Sequence, residues 1–145
     1  LSILEYLEEA YPESALLPTD LALRAKVRSF IQSIACDIHP LNNLRVLQYL
    51  EGELGIDPQQ KDQWYQHWTL KGLAVLEAQL ADSNGQFCFA DQVTFADCCL
   101  IPQVYNAKRF QIDLTEYPKI QSIYTHCMPL AAFHQAAPEQ QADWE

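Results

Sequence analysis

Residues 36–47 read Cys-Asp-Ile-His-Pro-Leu-Asn-Asn-Leu-Arg-Val-Leu and lie inside a long run of helically spaced apolar residues. Proline in a helix interior removes one backbone hydrogen bond and clashes with the preceding turn, at a cost of about 3 kcal/mol. Around this proline stand His39, Asn42, Asn43 and Arg45. Helical spacing places His39 on one face with Asn43, and Asn42 on another with Arg45. The stretch therefore predicts a bent helix, and its polar residues either form a binding site or cap the carbonyls that the bend frees.

On both sides of this stretch, apolar spacing predicts an all-α fold of about five helices. The helices are expected over residues 1–10, over 20–53 with the bend at Pro40, over 58–81, and in two segments that begin at Thr94 and Pro118. The apolar side of the second helix carries Leu23, Val27, Phe30, Ile31, Ile34, Ile38, Leu41 and Leu44. The sequence contains no alternating strand pattern and no internal repeat. These features predict a helical bundle.

The third predicted helix contains two packing signals. Trp64 and Trp68 form an aromatic stripe, and we expect the bundle to pack on them. Gly72 lies in the middle of the same helix, where glycine costs about 1 kcal/mol relative to alanine. A neighbouring helix is therefore expected to approach closely at Gly72.

The Thr-Phe-Ala-Asp sequence at residues 94–97 has the spacing of a helix N-terminal capping box. In such a box the Thr94 hydroxyl accepts a hydrogen bond from the amide of the third helical residue, and the Asp97 carboxylate accepts one from the Thr94 amide. Aspartate stands here in place of the usual glutamate. We interpret both residues as structural and not catalytic.

Composition and charge exclude several classes of protein. The chain has 145 residues, is 49% hydrophobic and carries a formal net charge of −10. Such a charge repels a phosphate backbone, so nucleic acid is not an expected partner. No apolar run reaches the roughly 20 residues that span a bilayer, so no membrane partner is expected either. The sequence predicts one globular domain with a sizeable core.

Five cysteines make an odd count without CxxC spacing. This pattern is typical of a reduced, cytosolic chain that uses thiols as small buried apolar groups. A metal site can be drawn from Cys98, Cys99, His126, Cys127 and His134. Their spacing matches no known ligand pattern, so we predict no metal.

Taken together, several segments resemble the glutathione transferases, and more narrowly the zeta class, the maleylacetoacetate isomerases. In chain order they are Leu4–Glu9, Tyr11–Pro12, Leu16–Pro18, Arg24–Arg28, His39–Leu44, Val93–Asp97, Pro102–Phe110 and Tyr117–Pro118. The Thr-x-x-Asp box is shared by most glutathione transferases. The segments at 39–44 and 103–110 are those that indicate the zeta class.

The resemblance also implies a domain organisation. An intact member of the family has an N-terminal thioredoxin-like domain that binds glutathione and activates its thiol. Residues 1–12 resemble the last helix of that domain, and residues 13–145 resemble the C-terminal helical domain. The chain starts with Leu1, without a methionine or an N-cap residue. We therefore expect the chain to be part of a longer protein and to be catalytically inactive alone.

By the same resemblance, the site residues fall into two groups and include no catalytic residue. Glutathione is expected to contact His39, Asn43, Leu44 and Arg45. Arg109 is expected to hold a substrate carboxylate, with Gln103 and Asn106 as neutral donors. On residue type alone, Arg109 is a solvated cation favoured by the dipole at a helix end; the resemblance favours the ligand role.

The function implied is glutathione-dependent isomerisation of maleylacetoacetate to fumarylacetoacetate in phenylalanine and tyrosine catabolism. Glutathione thiolate would add to the cis double bond, allow rotation, and be expelled from the trans product. A cytoplasmic homodimer is expected, with a small acidic substrate. The alternatives are a maleylpyruvate isomerase, a general glutathione transferase, or a non-catalytic module like the helical domains attached to translation factors and tRNA synthetases.

Overall fold

The computed structural model describes residues 1–89 and 91–144, and this part of the chain forms helices without any strand. The helices are α1 (Ser2–Ala10), α2 (Leu21–Gln32), α3 (Leu44–Gly52), α4 (Pro58–Gln79), α5 (Phe95–Arg109), α6 (Pro118–Cys127) and α7 (Ala131–Ala136). The predicted all-α fold is confirmed. None of the described helices has both the length and the apolar character needed to cross a membrane.

The predicted bent helix over 20–53 is not one helix, and this part of the prediction is wrong. Asp20 caps the start of α2, since its carboxylate accepts a hydrogen bond from the Leu23 amide at 2.7 Å. The chain then widens into a π-helical turn over Ser33–Ile38 and tightens into a 3₁₀ turn over His39–Asn42. Proline lacks an amide hydrogen, and at the start of a 3₁₀ turn that amide has no partner to lose. The chain therefore accommodates Pro40 by changing helix type and restarting, instead of bending one α-helix.

The core lies where α2, α4, α5 and α6 pack together, and its largest fully buried side chains include Phe30 and Phe95. Trp64 and Trp68, on which the bundle was expected to pack, are half-buried and pack edge to face with ring centroids 5.7 Å apart. The Trp64 indole N–H donates to the Leu41 carbonyl at 2.9 Å. An indole N–H needs an acceptor, and the irregular turn beside α4 supplies one at the edge of the core. Trp64 therefore packs against the core from its edge and bonds the turn at Leu41.

The close approach predicted at Gly72 is confirmed. A Cβ atom built on Gly72 would overlap the Ile38 side chain, which lies directly against the glycine backbone. Ile38 is fully buried at the end of the π-helical turn. The π turn and α4 can therefore come this close only because residue 72 has no side chain.

Replacing Gly72 with alanine is expected to lower the free energy of unfolding by about 2 kcal/mol, since overpacking outweighs the helix propensity gained. Gly52→Ala is the matched control, because a Cβ on Gly52 meets no atom within 4 Å. Urea unfolding of both variants measures the difference. A Gly72→Ala variant as stable as Gly52→Ala would contradict the close packing.

The capping box at the start of α5 is also confirmed. The Thr94 hydroxyl accepts from the Ala96 amide at 3.2 Å, and one Asp97 oxygen accepts from the Thr94 amide at 2.8 Å. The other Asp97 oxygen accepts from the Cys88 amide at 2.9 Å. The fully buried Asp97 carboxylate thus joins the helix start to the segment before it.

Two carboxylates of helix α1 bind the rest of the bundle. The Glu8 carboxylate accepts from the Leu16 and Leu17 amides at 2.7 and 3.1 Å, and Glu5 forms a two-pronged ion pair with Arg28 at 2.8 Å. No side chain of α1 is buried. The domain boundary expected between residues 12 and 13 stays a prediction.

Candidate functional site

The turn before α3 presents most of its predicted site residues to solvent. Asn43 is the N-cap of α3, and its side-chain oxygen accepts from the Arg45 amide at 3.1 Å. Because Asn43 adopts an extended backbone, the chain leaves the 3₁₀ turn there and α3 starts in a new direction. His39, Leu44 and Arg45 are all exposed. Leu44, which was expected on the apolar side of the second helix, is 68% exposed because the helix restarts at this residue.

Asn42 points the other way and fixes the turn to α4. Its amide nitrogen donates to the Thr69 hydroxyl at 2.9 Å and to the Tyr65 carbonyl at 3.3 Å. Its side-chain oxygen is buried and has no hydrogen-bond partner among the described residues. Thr69 is fully buried. The turn that carries His39 and Asn43 is therefore held by polar contacts to one turn of α4.

Arg109 is the last residue of α5, and the chain reverses immediately after it. Gln111 has φ 55°, in the left-handed region, and the Ile112 amide donates to the Ala107 carbonyl at 3.0 Å. The Phe110 ring stacks on Tyr65 with centroids 3.7 Å apart and planes 16° apart. The end of α5 therefore packs on the same turn of α4 that holds Asn42.

The Arg109 side chain lies between two cavities of about 320 Å³ each. The first, here called the polar cavity, is lined by Asp62, Tyr65, Gln66, Arg109, Phe110, Gln111 and Ile112. The second, here called the tail cavity, is lined mainly by apolar side chains of α5 and of the C-terminal segment. Its polar groups come from Tyr105, Asn106 and Arg109. A cationic group at the edge of an apolar cavity is suited to a ligand with one charged end.

A hydrogen bond ties the C-terminal segment, residues 131–144, to α5 beside the tail cavity. The Tyr105 hydroxyl donates to the Glu139 carboxylate at 2.7 Å. This hydrogen bond raises the pKa of Tyr105 and lowers the pKa of Glu139. Phe133 and Trp144 complete the wall of the cavity.

The structure brings together some of the predicted site residues and leaves others apart. Asn106 and Arg109 share the tail cavity, whereas Gln103 is 4% exposed and lines neither cavity. His39 and Arg45 also line neither cavity. The turn that carries His39 and the end of α5 that carries Arg109 both pack against the same turn of α4, Tyr65–Thr69.

Sequence reasoning did not select Tyr65 or Phe110. A signal for Tyr65 exists, because Tyr65, Thr69, Leu73 and Leu76 form the buried stripe of α4. A threonine within an apolar stripe indicates a polar contact from a neighbouring element. The stack with Phe110 has no comparable local signal.

The thiols that burial shields from solvent are poorly placed to act as nucleophiles. Burial raises the pKa of Cys127 to about 12 and that of Cys98 to about 11, and it raises the pKa of Cys88 further. Cys36 is exposed, so the expectation that the thiols are buried is wrong for this residue. Within residues 1–89 and 91–144, no group of three potential ligands is placed to hold a metal ion.

Comparison with known proteins identifies the class of this fold. Residues 59–126 match the family described as glutathione S-transferase, C-terminal domain. A probable maleylacetoacetate isomerase of Vibrio cholerae is 47% identical over 143 residues, which are 99% of this chain and 66% of that protein. The chain thus spans about two thirds of the length of this relative.

Two solved structures indicate which class of glutathione transferase this chain is similar to. A holo maleylpyruvate isomerase, a bacterial zeta-class glutathione transferase, superposes with a TM-score of 0.96 at 44% identity, over 99% of this chain and 69% of that one. The maleylacetoacetate isomerase of Anaeromyxobacter dehalogenans, with dicarboxyethyl glutathione and citrate in its active site, has a TM-score of 0.94 at 40% identity, over 99% and 64% of the two chains. The chain belongs to the glutathione transferase family, in the zeta class that contains these isomerases.

Proposed function

We propose that the chain is the helical, acidic-substrate-binding half of a glutathione-dependent cis-trans isomerase. The substrate proposed is maleylacetoacetate, converted to fumarylacetoacetate in cytoplasmic phenylalanine and tyrosine catabolism, with maleylpyruvate as the alternative. The observation that carries the proposal is Arg109 at the end of α5, opening beside Asn106 onto the tail cavity. The names of the relatives support the reaction class.

Arg109 is the proposed anchor for a substrate carboxylate. A planar guanidinium can hold a carboxylate through two parallel hydrogen bonds, which also orient the ligand. The carbonyl groups at the end of α5 carry partial negative charge and would repel an anion without this cation. Asn106 supplies a neutral donor on the same cavity. Gln103, being buried, is a less direct contributor than the sequence predicted.

His39, Asn43, Leu44 and Arg45 are the proposed glutathione contacts, and their chemistry fits that ligand. The exposed imidazole and guanidinium are donors suited to its carboxylates. The Asn43 oxygen is used by the α3 cap, which leaves the amide nitrogen free to donate. Leu44 offers apolar contact. When bound, glutathione supplies the thiol that adds reversibly to the substrate double bond.

No residue of this chain is proposed to activate that thiol. We infer that a thioredoxin-like domain does so, with residues 1–12 as its last helix and residues 13–145 as the helical domain. Because the thiol would be activated in that other domain, we expect residues 1–145 to be inactive alone. A homodimer is proposed from the family relationship.

The test is turnover by the whole product of the gene that encodes this chain. With glutathione present, ultraviolet absorbance should show isomerisation of maleylacetoacetate, or of maleylpyruvate for the alternative. Residues 1–145 alone should give no turnover. If neither substrate reacts with the whole product, the enzymatic proposal fails, and activity of residues 1–145 alone would show that the thiol site is misplaced.

A further inference from the structure

The two groups of proposed site residues are carried by separate segments that meet on one turn of α4. Asn42 approaches this turn from the 3₁₀ side and donates to the Tyr65 carbonyl and the Thr69 hydroxyl. Phe110 approaches from the end of α5 and covers the Tyr65 ring. Tyr65 therefore contacts both segments, one through its backbone and the other through its side chain.

The end of α5 needs such a contact because its backbone is strained. Gln111, with φ 55°, adopts a conformation that costs a residue with a Cβ roughly 1 kcal/mol or more. Strain of this kind persists only where the surrounding structure holds it. Here Ile112 is buried, and its amide closes the turn on the Ala107 carbonyl. The stack of Phe110 on Tyr65 attaches the same turn to α4.

Arg109 is close enough to Tyr65 to interact electrostatically. Tyr65 is 5% exposed, and burial raises the pKa of its phenol while the charge of Arg109 opposes that rise. Tyr65 and Arg109 also line the polar cavity together. A shift of the Tyr65–Phe110 stack would therefore move the helix end that carries the guanidinium.

We propose that the turn of α4 at Tyr65–Thr69 positions both groups: the Tyr65 ring holds the Arg109 end of α5 in place through Phe110, whereas the Tyr65 carbonyl and the Thr69 hydroxyl hold the His39–Arg45 turn in place through Asn42. The inference rests on the proposed function for the roles of the two segments. The contacts of this turn of α4 with Phe110 and Asn42 do not depend on the proposed function. Tyr65 contacts neither ligand in this proposal; it sets the relative placement of the two groups that do.

Phe110 is the residue at which to test the first link, because it is 41% exposed and its loss removes little core packing. In the whole gene product, Phe110→Ala should speed hydrogen exchange of the Ile112 amide at least tenfold. It should also raise the KM for the acidic substrate about tenfold, while the KM for glutathione stays within about twofold. Phe110→Trp, which keeps an aromatic ring for stacking, should restore both measurements.

Asn42→Ala tests the second link, and the two KM values should respond in the opposite way to that expected for Phe110→Ala. The KM for glutathione should rise several-fold, while Ile112 exchange and the KM for the acidic substrate stay near their original values. Equal rises in both KM values, in either variant, would mark general destabilisation and overturn the proposal.

Unchanged Ile112 exchange in Phe110→Ala would overturn the positioning role, whatever the activity. If the unmodified protein shows no turnover, the proposed function fails by that result. The exchange measurement still decides whether Tyr65 and Phe110 hold the end of α5.

Discussion

Replacing Arg109 with alanine is expected to raise the KM for the acidic substrate about thirtyfold, with little change in the KM for glutathione. The loss corresponds to roughly 2 kcal/mol, the lower part of the range for charge-assisted hydrogen bonds, because Arg109 is exposed and screened by solvent. Steady-state kinetics on the whole gene product, with each reactant varied in turn, measure the two constants separately.

Lys108→Ala is the matched control for this substitution. It removes the same charge from the neighbouring position, but the Lys108 ammonium lies over the Tyr124 ring at 4.2 Å from its centroid, and the residue lines neither cavity beside Arg109. Arg109→Lys should fall between the two, since lysine keeps the charge without the planar fork. If Lys108→Ala weakens substrate binding as much as Arg109→Ala does, Arg109 acts only through net charge and is not the anchor.

Asp97→Ala is expected to lower the free energy of unfolding by about 3 kcal/mol, the largest stability effect that we predict for a single side chain. The substitution removes acceptors from the Cys88 amide, the Thr94 amide and the Thr94 hydroxyl, all of them buried. Urea unfolding of the isolated chain measures this loss, with the slope of the transition checked for two-state behaviour.

An exposed aspartate with similar local bonds provides the comparison. Asp113 accepts hydrogen bonds from the Thr115 amide at 2.9 Å and from the Thr115 hydroxyl at 2.6 Å. In Asp113→Ala, water can replace the lost acceptor, so a much smaller loss of stability is expected. Equal losses in the two variants would show that burial of the Asp97 carboxylate is not what makes it important.

The features predicted from sequence with most success are those that short stretches of chain decide. The Thr94–Asp97 box and the helix start at Pro118 depend on hydrogen bonds or backbone angles within a few residues. Gly72 was also interpreted correctly, because glycine in mid-helix is costly unless another element lies against it. The resemblance that placed the chain in its family depends on segments of this kind.

The errors occur where several elements compete for the same space. Pro40 suggested a bent helix, but the choice between bending and restarting depends on whether the π turn can lie against Gly72. Trp64 and Trp68 were expected to support the bundle, but the sequence did not indicate that the Trp64 indole donates to a carbonyl of the irregular turn beside α4. Neither partner could be read from periodicity, which describes one element at a time.

For the candidate site too, some features could be predicted from the sequence and others depend on how the helices pack. The residue types and their segments could be proposed from sequence, since an arginine at a helix end and polar residues around a proline are visible without coordinates. The sequence by itself determined where α2, α4, α5 and α6 begin, because caps and prolines act on their immediate neighbours. Only the tertiary structure decided that the Asn42 turn and the end of α5 meet at Tyr65, because hydrogen bonds and ring stacking between distant residues depend on how whole helices pack.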